Sequence, residues 1–526
     1  MTGQKNSWDS IIWIGRGLAW LNGAFQAQEQ RRAAERAALP PDKMEGLASA
    51  AEVSIHKHKP GAFYLGKIHE DHGVSFEAGI ADDRHVFLMA GSRSGKGVSF
   101  GVQNALRWPG PLLMIDPKGE AASITAMRRG TADAAMGTGT SVRRFLGQKV
   151  AILDPFGETK GPARKYLVRY NPLHDINMAI GGGVRQIRAV SSAIIVPEEG
   201  KNSHFSESAE TIVAGIIEAV MMTEPKTRQT LTFCRSLVNG GFDKLVTYLE
   251  KVKTKAGLAT EAWSVVDDVG TDEWGSFKST LSRNLKWLAE PDMQAHLQPS
   301  SFSLARAVQE GWSVYIVLPP DQIADYKSWL RVVVRIALNA KMAMGTNQKG
   351  APTLFMLDEF PALGRIKAIE ESAGYMAGYG IKLVPIIQNI GQLQEHYAKN
   401  WETFLGNAGA LIAFGLNDQG SETYVADRLG KVMTYETSAG SNSGFSGGGF
   451  SAGDSTSAGW KERPVRFANQ IREEGAREQM RAFIVPASGK SFTVRRMSYM
   501  ELAELEVFDS PDSIVEWERS FGSRIT

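Results

Sequence analysis

The chain has 526 residues, of which 43% are hydrophobic and 22% charged. This composition is typical of a globular protein, and the length predicts two or more domains. A formal net charge of +2 gives no sign of a broadly basic protein, although a local basic surface is compatible with a balanced total. The single cysteine, Cys234, excludes a disulfide within the chain and is typical of a reducing compartment.

Residues 1–60 predict an N-terminal amphipathic helical segment. Within "SWDSIIWIGRGLAWLNGAF" the apolar residues recur at helical spacing, namely at Ile11, Ile14, Leu18, Leu21 and Phe25. The run carries Arg16 and is shorter than the roughly 20 apolar residues of a membrane-spanning helix. It also lacks a signal-peptide cleavage pattern. Three roles stay open: a helix packed on a neighbouring domain, a helix on a membrane surface, or a docking helix for another protein.

Seven short apolar runs follow in chain order, each bounded by turn residues or acids. They are HVFLMA from residue 85, PLLMID from 111, KVAILD from 149, SVYIVL from 313, TLFMLD from 353, KLVPII from 382 and ALIAFG from 410. Nearly continuous apolar runs of this length are typical of strands that are buried on both faces. We therefore predict an α/β fold with a mainly parallel sheet covered by helices.

No such strand-like run occurs over residues 176–304, where stretches such as "SAETIVAGIIEAVMM" have a helical period. This predicts an all-α domain inserted into an α/β domain that occupies residues 61–175 and 305–526. Residues 437–459 are rich in glycine and serine and nearly uncharged, which predicts a flexible loop. The following "MRAFIVPASGKSFTVRRMSY" predicts a hairpin with a Ser-Gly turn.

The stretch "GSRSGKGVSF" lies between the first apolar run and a predicted helix. Glycines let successive backbone N–H groups point at an anion, and a helix N-terminus and a lysine add positive charge. The spacing departs from the standard phosphate-binding loop, which has one more residue between its glycines and a hydroxyl residue after the lysine. A polar turn is the alternative. The candidate nucleotide-binding residues are Gly91, Ser92, Arg93, Ser94, Gly95, Lys96, Gly97 and Val98.

Because Gly97 replaces the hydroxyl residue, one usual magnesium ligand is missing, and Ser99 lies two positions further on. A carboxylate at the end of another buried strand is the expected substitute. Asp358 ends such a run and Glu359 follows it. We expect Asp358 to hold Mg²⁺ and Glu359 to orient and deprotonate the attacking water. The alternative is a pair of acids that caps the next helix.

Gln388 ends the apolar run that follows in sequence, KLVPII. A polar amide at this place suits a sensor of the terminal phosphate or a group that positions water. Together with Lys96 and Glu359, it completes the predicted catalytic set. The alternative is an ordinary residue at the end of a strand.

Several motifs together resemble the type IV secretion coupling proteins, the TraG/TraD-like conjugative DNA-transfer ATPases. They include "GSRSGKGV", "DPKGE" at residues 116–120, "ILDPFG", "LDEFPALGRI", "GYMAGYGIKLVPIIQNIGQL" and "LNDQGSETYVADRLG". The similarity extends from about residue 61 to 500. It implies a RecA-like nucleotide-binding domain with an inserted all-α domain, and hydrolysis of ATP with Mg²⁺ by a homo-hexameric ring with a site at each subunit boundary.

The resemblance also implies partners and a location. The partners are DNA, held without sequence specificity and brought by a relaxase complex, the proteins of the secretion channel, and protein effectors. The location is cytoplasmic, at the periphery of the inner membrane. Family members usually carry N-terminal transmembrane helices, and this chain shows none that we can assign. Some hexameric relatives carry an arginine where this chain has Ala377, so Arg365 and Arg428 are the candidates for a trans-acting arginine.

A channel that passes DNA needs cationic side chains, for which the candidates are Arg228, Arg283, Lys286 and Lys382. Solvated surface charge is the alternative at each position. Three functions stay open. The first is a motor that drives DNA or protein into a secretion channel, the second a soluble receptor that uses nucleotide as a switch, and the third a cytosolic DNA translocase. The catalytic set favours the motor.

Overall fold

The structure is a computed structural model of the chain. It describes residues 46–69, 75–137, 144–196, 203–252, 257–346, 348–446 and 449–501, together with the isolated positions 28 and 31. The predicted helix with Ile11, Ile14, Leu18, Leu21 and Phe25 therefore lies outside the described residues. Among the described residues, no helix combines the length and the apolar character that a membrane crossing requires.

Thirteen strands are described. They are β1 Phe63–His69, β2 Ser75–Ile80, β3 His85–Ala90, β4 Leu112–Asp116, β5 Val150–Leu153, β6 Ser313–Val317, β7 Thr353–Leu357, β8 Ile381–Ile387, β9 Ala408–Phe414, β10 Lys431–Ser446, β11 Gly449–Pro464, β12 Arg481–Pro486 and β13 Phe492–Arg495. Eleven of them form one sheet in the order β2-β1-β13-β12-β9-β3-β8-β7-β4-β6-β5.

The seven strands from β9 to β5 in this order are parallel. They correspond to the seven apolar runs, so the prediction of an α/β fold with a mainly parallel sheet is confirmed. The four remaining strands extend the sheet with antiparallel pairs. Of these, the hairpin of β12 and β13 was predicted, whereas β1 and β2 were not.

The helices among the described residues are α1 Ala50–Val53, α2 Val102–Arg107, α3 Glu120–Arg129, α4 Ala132–Ala135, α5 Val184–Ile194, α6 Ser203–Thr223, α7 Leu231–Asn239, α8 Phe242–Glu250, α9 Gly257–Asn284, α10 Pro291–His296, α11 Leu304–Gln309, α12 Ile323–Met342, α13 Lys367–Met376, α14 Ile390–Tyr397, α15 Glu402–Gly406, α16 Gln419–Leu429 and α17 Ala468–Glu474. A π-helix, Gly97–Gly101, precedes α2. Short 3₁₀ turns connect several of the others.

The sheet buries both faces, because alternate residues of each strand point to opposite sides. On β3, Phe87 and Met89 join one apolar cluster, and Val86 and Leu88 join the other. The first cluster continues into the helical stretch α5–α11, and the second contains α2 and α3. The parallel strands therefore sit between two helical layers, which holds their carboxyl ends in fixed relative positions.

The described part of residues 172–312 consists of helices and turns without a strand. Asp175 links its two ends: the half-buried carboxylate accepts hydrogen bonds from the Ser303 hydroxyl at 2.5 Å and from the backbone N–H groups of Leu304 and Ala305 at 3.1 and 3.2 Å. Burial raises the pKa of Asp175. The two ends of this helical segment are thus hydrogen-bonded to each other where the chain leaves and re-enters the sheet domain. This geometry is expected of a domain inserted into another.

The Gly/Ser-rich stretch differs from expectation. It lies in an antiparallel pair, β10 with β11, whose register extends from Lys431 opposite Pro464 to Ser446 opposite Gly449, whereas the sequence predicts a loop over 437–459. Near the base of the hairpin, the rings of Tyr435 and Trp460 pack edge to face at 5.4 Å. Tyr435 and Trp460 favour strands and fix the register of β10 against β11. In the Gly/Ser-rich part that follows, the backbone groups of the two strands pair with each other without the help of large side chains.

Candidate nucleotide-binding site

The predicted site residues lie at one edge of the sheet, at the carboxyl ends of three neighbouring strands. The loop from Gly91 to Gly97 follows β3, Gln388 follows β8, and Asp358 with Glu359 follows β7. The order β3-β8-β7 places these three ends side by side. Ligands of open α/β sheets bind at this kind of edge. The structure therefore brings together the three predicted catalytic side chains and the predicted metal ligand Asp358.

The loop after β3, residues 91–97, has a backbone conformation suited to binding an anion, and we call this loop the cradle. Arg93 and Gly95 adopt left-handed conformations, with φ of +57° and +90°, which turn successive N–H groups in one direction. The Ser94 N–H donates to the Gly91 carbonyl at 3.3 Å. Gly97 then begins the π-helix, so N–H groups at a helix start face the cradle.

The first glycine of the loop is needed for space. A Cβ atom at Gly91 would lie 1.9 Å from the carbonyl oxygen of Gly415, which follows β9. A Cβ atom at Gly97, in contrast, would have no heavy atom within 4 Å. Gly91 therefore permits the loop to pack against the neighbouring strand end, whereas Gly97 faces open space where a phosphate group can approach.

Lys96 bridges the two carboxylates. Its Nζ lies 2.8 Å from Asp358 Oδ1 and 2.5 Å from Glu359 Oε1. Gln388 Nε2 donates to both oxygens of Glu359, at 3.1 and 2.9 Å. Glu359 itself has φ of +55°, a rare conformation for a residue with a side chain, and its N–H donates to Asp358 Oδ1 at 3.0 Å. The turn thereby holds both acids on the same side.

Charge and burial compete in this cluster. Burial alone would lower the pKa of Lys96, but the charges of Asp358 and Glu359 outweigh it and raise that pKa above its ordinary value. Burial raises the pKa of Asp358, and the charge of Lys96 opposes the rise. The lysine therefore stays protonated between the two acids, and a triphosphate would compete with those acids for it.

The donor set suits a hard divalent cation. Carboxylate oxygens are the protein ligands that Mg²⁺ prefers, and Mg²⁺ commonly takes only one or two of them together with phosphate oxygens and water. Within the described ranges, no group of three or more histidine, cysteine or acidic side chains forms a cage for a metal. Asp358 fits the role of a single protein ligand beside a phosphate cradle. Ser99 is buried, with 2% of its surface exposed.

Asp116, which ends β4 next to β7, has no role among the predictions from the sequence. Its carboxylate is buried and accepts a hydrogen bond from the Ala122 N–H at 2.7 Å. Burial raises the pKa of Asp116 to about 7. The available signal was its position, because Asp116 follows a buried apolar run as Asp358 does.

Arg496, which follows β13, was not among the residues predicted from the sequence. Its Nη1 donates to the Ser94 carbonyl inside the loop at 2.6 Å. About 400 residues separate the two positions, and no local pattern marks Arg496, so only the folded chain reveals the contact.

Two other predicted groups lie elsewhere. Arg365 pairs with Glu370 at 2.8 Å, and Arg428 lines a separate surface cavity of about 480 Å³ with Gly46 and Lys490. Neither touches the cradle of its own chain in the described structure. A trans-acting role for either residue stays a prediction.

The prediction of Lys382 as a DNA contact is wrong. Lys382 is 1% exposed, and its Nζ donates to the carbonyl oxygens of Asp82 and Arg84 at 2.5 and 2.6 Å. It lies on β8, whose side chains are buried on both faces, so its charge is satisfied inside the fold. Arg228, Arg283 and Lys286 are exposed, and their role stays a prediction.

Fold and site together define an α/β protein with a phosphate-type loop and an acidic strand end in its central sheet. The sequence model of the family described as type IV secretory system conjugative DNA transfer matches residues 43–473, and the chain belongs to this family. The resemblance seen in the motifs is thus confirmed.

Named relatives agree with this assignment. The chain is 25% identical to a conjugal transfer protein TraG of Escherichia coli over 396 residues, which is 71% of this chain and 58% of TraG. It is 25% identical to the protein VirD4 of Agrobacterium fabrum over 362 residues, covering 66% of this chain and 49% of VirD4. The matches therefore span only about half to three fifths of these relatives.

Solved structures show the same fold. The bacterial conjugative coupling protein TrwB, in a form titled TrwBdeltaN70, aligns with a TM-score of 0.59 over 86% of this chain and 93% of that chain, at 12% identity. Further TrwB structures are titled as complexes with a non-hydrolysable ATP analogue and with ADP and Mg²⁺, at TM-scores of 0.57 and 0.58 and 11% identity. They cover 86% of this chain and 93% of TrwB.

Proposed function

We propose that this protein is a type IV coupling ATPase, which recruits a relaxase-bound DNA strand or a protein substrate and passes it to a secretion channel by hydrolysing ATP. One observation carries the proposal: Lys96, Asp358, Glu359 and Gln388 form a single hydrogen-bonded cluster beside a phosphate-type loop. A nucleotide switch without turnover would need the cradle and the lysine but would have no use for the Glu359–Gln388 pair.

The roles follow from position. The loop from Gly91 to Val98 would hold the phosphates through backbone N–H groups, and Lys96 would leave the acids for the terminal phosphates. Asp358 would hold Mg²⁺, which lowers the barrier by neutralising charge that develops on the phosphates. Glu359 would take the proton of the attacking water, and Gln388, which donates to both Glu359 oxygens, would fix that carboxylate and respond to the terminal phosphate.

The relatives support the nature of the nucleotide. TrwB has structures in complex with an ATP analogue and with ADP and Mg²⁺, and it shares this fold. We propose that this chain also binds ATP and Mg²⁺, because it has its own phosphate-binding type of loop and the acids Asp358 and Glu359 beside it. DNA, channel proteins and protein effectors as partners, a homo-hexameric active form, and a cytoplasmic location at the periphery of the inner membrane are proposed from the family.

The test is a DNA-dependent ATPase assay on the purified chain, with the mass in solution measured in the presence of nucleotide. We expect turnover that rises with DNA, occurs in a six-subunit species and disappears in Lys96→Ala. Nucleotide binding without turnover, even with DNA present, would overturn the motor and favour a nucleotide-switched receptor. Turnover that survives Lys96→Ala would overturn the assignment of the site.

A further inference from the structure

Arg496 lies directly behind the phosphate-type loop and is fully buried, with 0% of its surface exposed. Besides the bond to the Ser94 carbonyl, its guanidinium donates to the carbonyl oxygens of Arg481, Ala476 and Arg477 at 3.2 to 3.4 Å. Its Cζ lies 4.3 Å from the centre of the Phe414 ring. Five N–H donors in a fork suit several carbonyl acceptors at once, so the loop, the end of β9 and the segment before β12 are tied to one side chain.

This cation has no ion-pair partner among the described residues, since all its hydrogen bonds go to backbone carbonyl oxygens. Burial, and after it the charge of Arg477, lowers the pKa of Arg496 to about 10, so the group is charged at neutral pH. A buried charge is costly unless it is paired. A Cβ atom at Gly95 would lie only 3.5 Å from Arg496 Nη1, which places the positive charge against the residue that precedes Lys96.

We propose that Arg496 is a positioning residue for nucleotide phosphates: it orients the loop through the Ser94 carbonyl and supplies a buried positive charge that phosphates compensate. The inference rests on the proposed function of the loop. Holding that carbonyl from behind leaves the N–H groups on the opposite side of the loop directed into the cradle. The effect must therefore grow with the number of phosphates that the cradle holds.

A second buried arginine offers a matched control. Arg129 at the end of α3 is also 0% exposed and donates to the carbonyl oxygens of Ala105, Trp108 and Gly110 and to the side chains of Ser313 and Gln148. It lies away from the loop, at the far end of α2. Removing either arginine strands buried carbonyl groups, so both changes should destabilise the fold, and only one should affect phosphates.

The experiment measures the Kd values of AMP, ADP and ATP with Mg²⁺, by calorimetry, for the full chain and for Arg496→Gln, Arg496→Lys and Arg129→Gln. Arg496→Gln keeps one donor for the Ser94 carbonyl but loses the charge. We expect ATP binding to weaken about 10- to 100-fold and AMP binding to change less than about threefold, because the loss of a buried charge directly behind the loop should affect a ligand with more phosphates more strongly. Arg496→Lys should recover part of the loss, and Arg129→Gln should bind ATP like wild type.

The outcomes separate the two proposals. Equal weakening of AMP and ATP, or unchanged ATP binding in Arg496→Gln, would overturn the role of Arg496 while Lys96-dependent ATP binding by wild type preserves the proposed function. Failure of wild type to bind ATP would overturn the proposed function itself. If Arg496→Gln does not fold, Arg496→Lys decides the matter, because it should weaken ATP more than AMP if the fork geometry orients the loop.

Discussion

Replacement of Glu359 by glutamine separates the two tasks of the acidic cluster. The amide keeps the size of the side chain and can still accept a hydrogen bond from Gln388, but it can no longer take a proton from water. General base catalysis contributes about 10²- to 10⁴-fold in rate, so we expect kcat for ATP to fall by this factor in Glu359→Gln.

The same change should strengthen nucleotide binding. In the present structure Lys96 Nζ lies 2.5 Å from Glu359 Oε1 and 2.8 Å from Asp358 Oδ1, and a nucleotide must draw the lysine away. A hydrogen bond between charged groups contributes about 1.5–3 kcal/mol, and partial exposure of both groups reduces this to about 1–2 kcal/mol. Removing the Glu359 charge should therefore lower the Kd of ATP about 5- to 30-fold.

Both constants can be measured on one preparation, kcat by phosphate release and Kd by calorimetry with ATP and Mg²⁺. Glu395→Gln, on the exposed face of α14, is a matched control that should change neither constant. Lys96→Ala should lose binding. A loss of kcat below about tenfold, or weaker ATP binding in Glu359→Gln, would refute the assignment of Glu359 as a base that competes for Lys96.

Three further predictions follow from packing and charge. Gly91→Ala, whose Cβ would meet the Gly415 carbonyl oxygen at 1.9 Å, should lower the free energy of unfolding by about 1–3 kcal/mol and weaken ATP binding, whereas Gly97→Ala should leave the unfolding midpoint in urea unchanged or slightly higher. Burial raises the pKa of Asp116 from 3.8 to about 7, so the stability that this protonated carboxyl contributes is complete below about pH 4 and is lost as the pH rises through 7. Urea unfolding should show that Asp116→Asn is about 2–4 kcal/mol more stable than wild type at pH 8, and that its stability depends less on pH. A variant with the pH profile of wild type would contradict the raised pKa of the buried carboxyl. Lys382→Met should lower the melting temperature without changing the Kd for DNA, and a loss of DNA affinity in a folded variant would reinstate it as a DNA contact.

The parallel half of the fold was predictable because its strands are buried on both faces. A strand such as HVFLMA carries no polar residue on either side after His85, and only a two-sided core makes such a run favourable. The strand β2 escaped prediction for the opposite reason. β2 is exposed at its start and buried at its end, and its residues Glu77 and Gly79 interrupt any apolar pattern.

The residues of the candidate site were predictable where both their chemistry and their place at the end of a strand indicate a single role. A glycine-lysine loop after a strand, and acids that end another, point to the same edge of a parallel sheet regardless of the connecting chain. Arg496 and Lys382 show the limit. Both are cations without a sequence pattern, and burial against carbonyl oxygens depends on strand neighbours that are hundreds of residues apart.

The most direct test of the account is a structure of Glu359→Gln in complex with ATP and Mg²⁺. We predict that Lys96 Nζ leaves the carboxylates and contacts the terminal phosphates, with the metal between those phosphates and Asp358. A nucleotide bound away from the loop, or a lysine still paired with Asp358 beside bound ATP, would contradict the central claim.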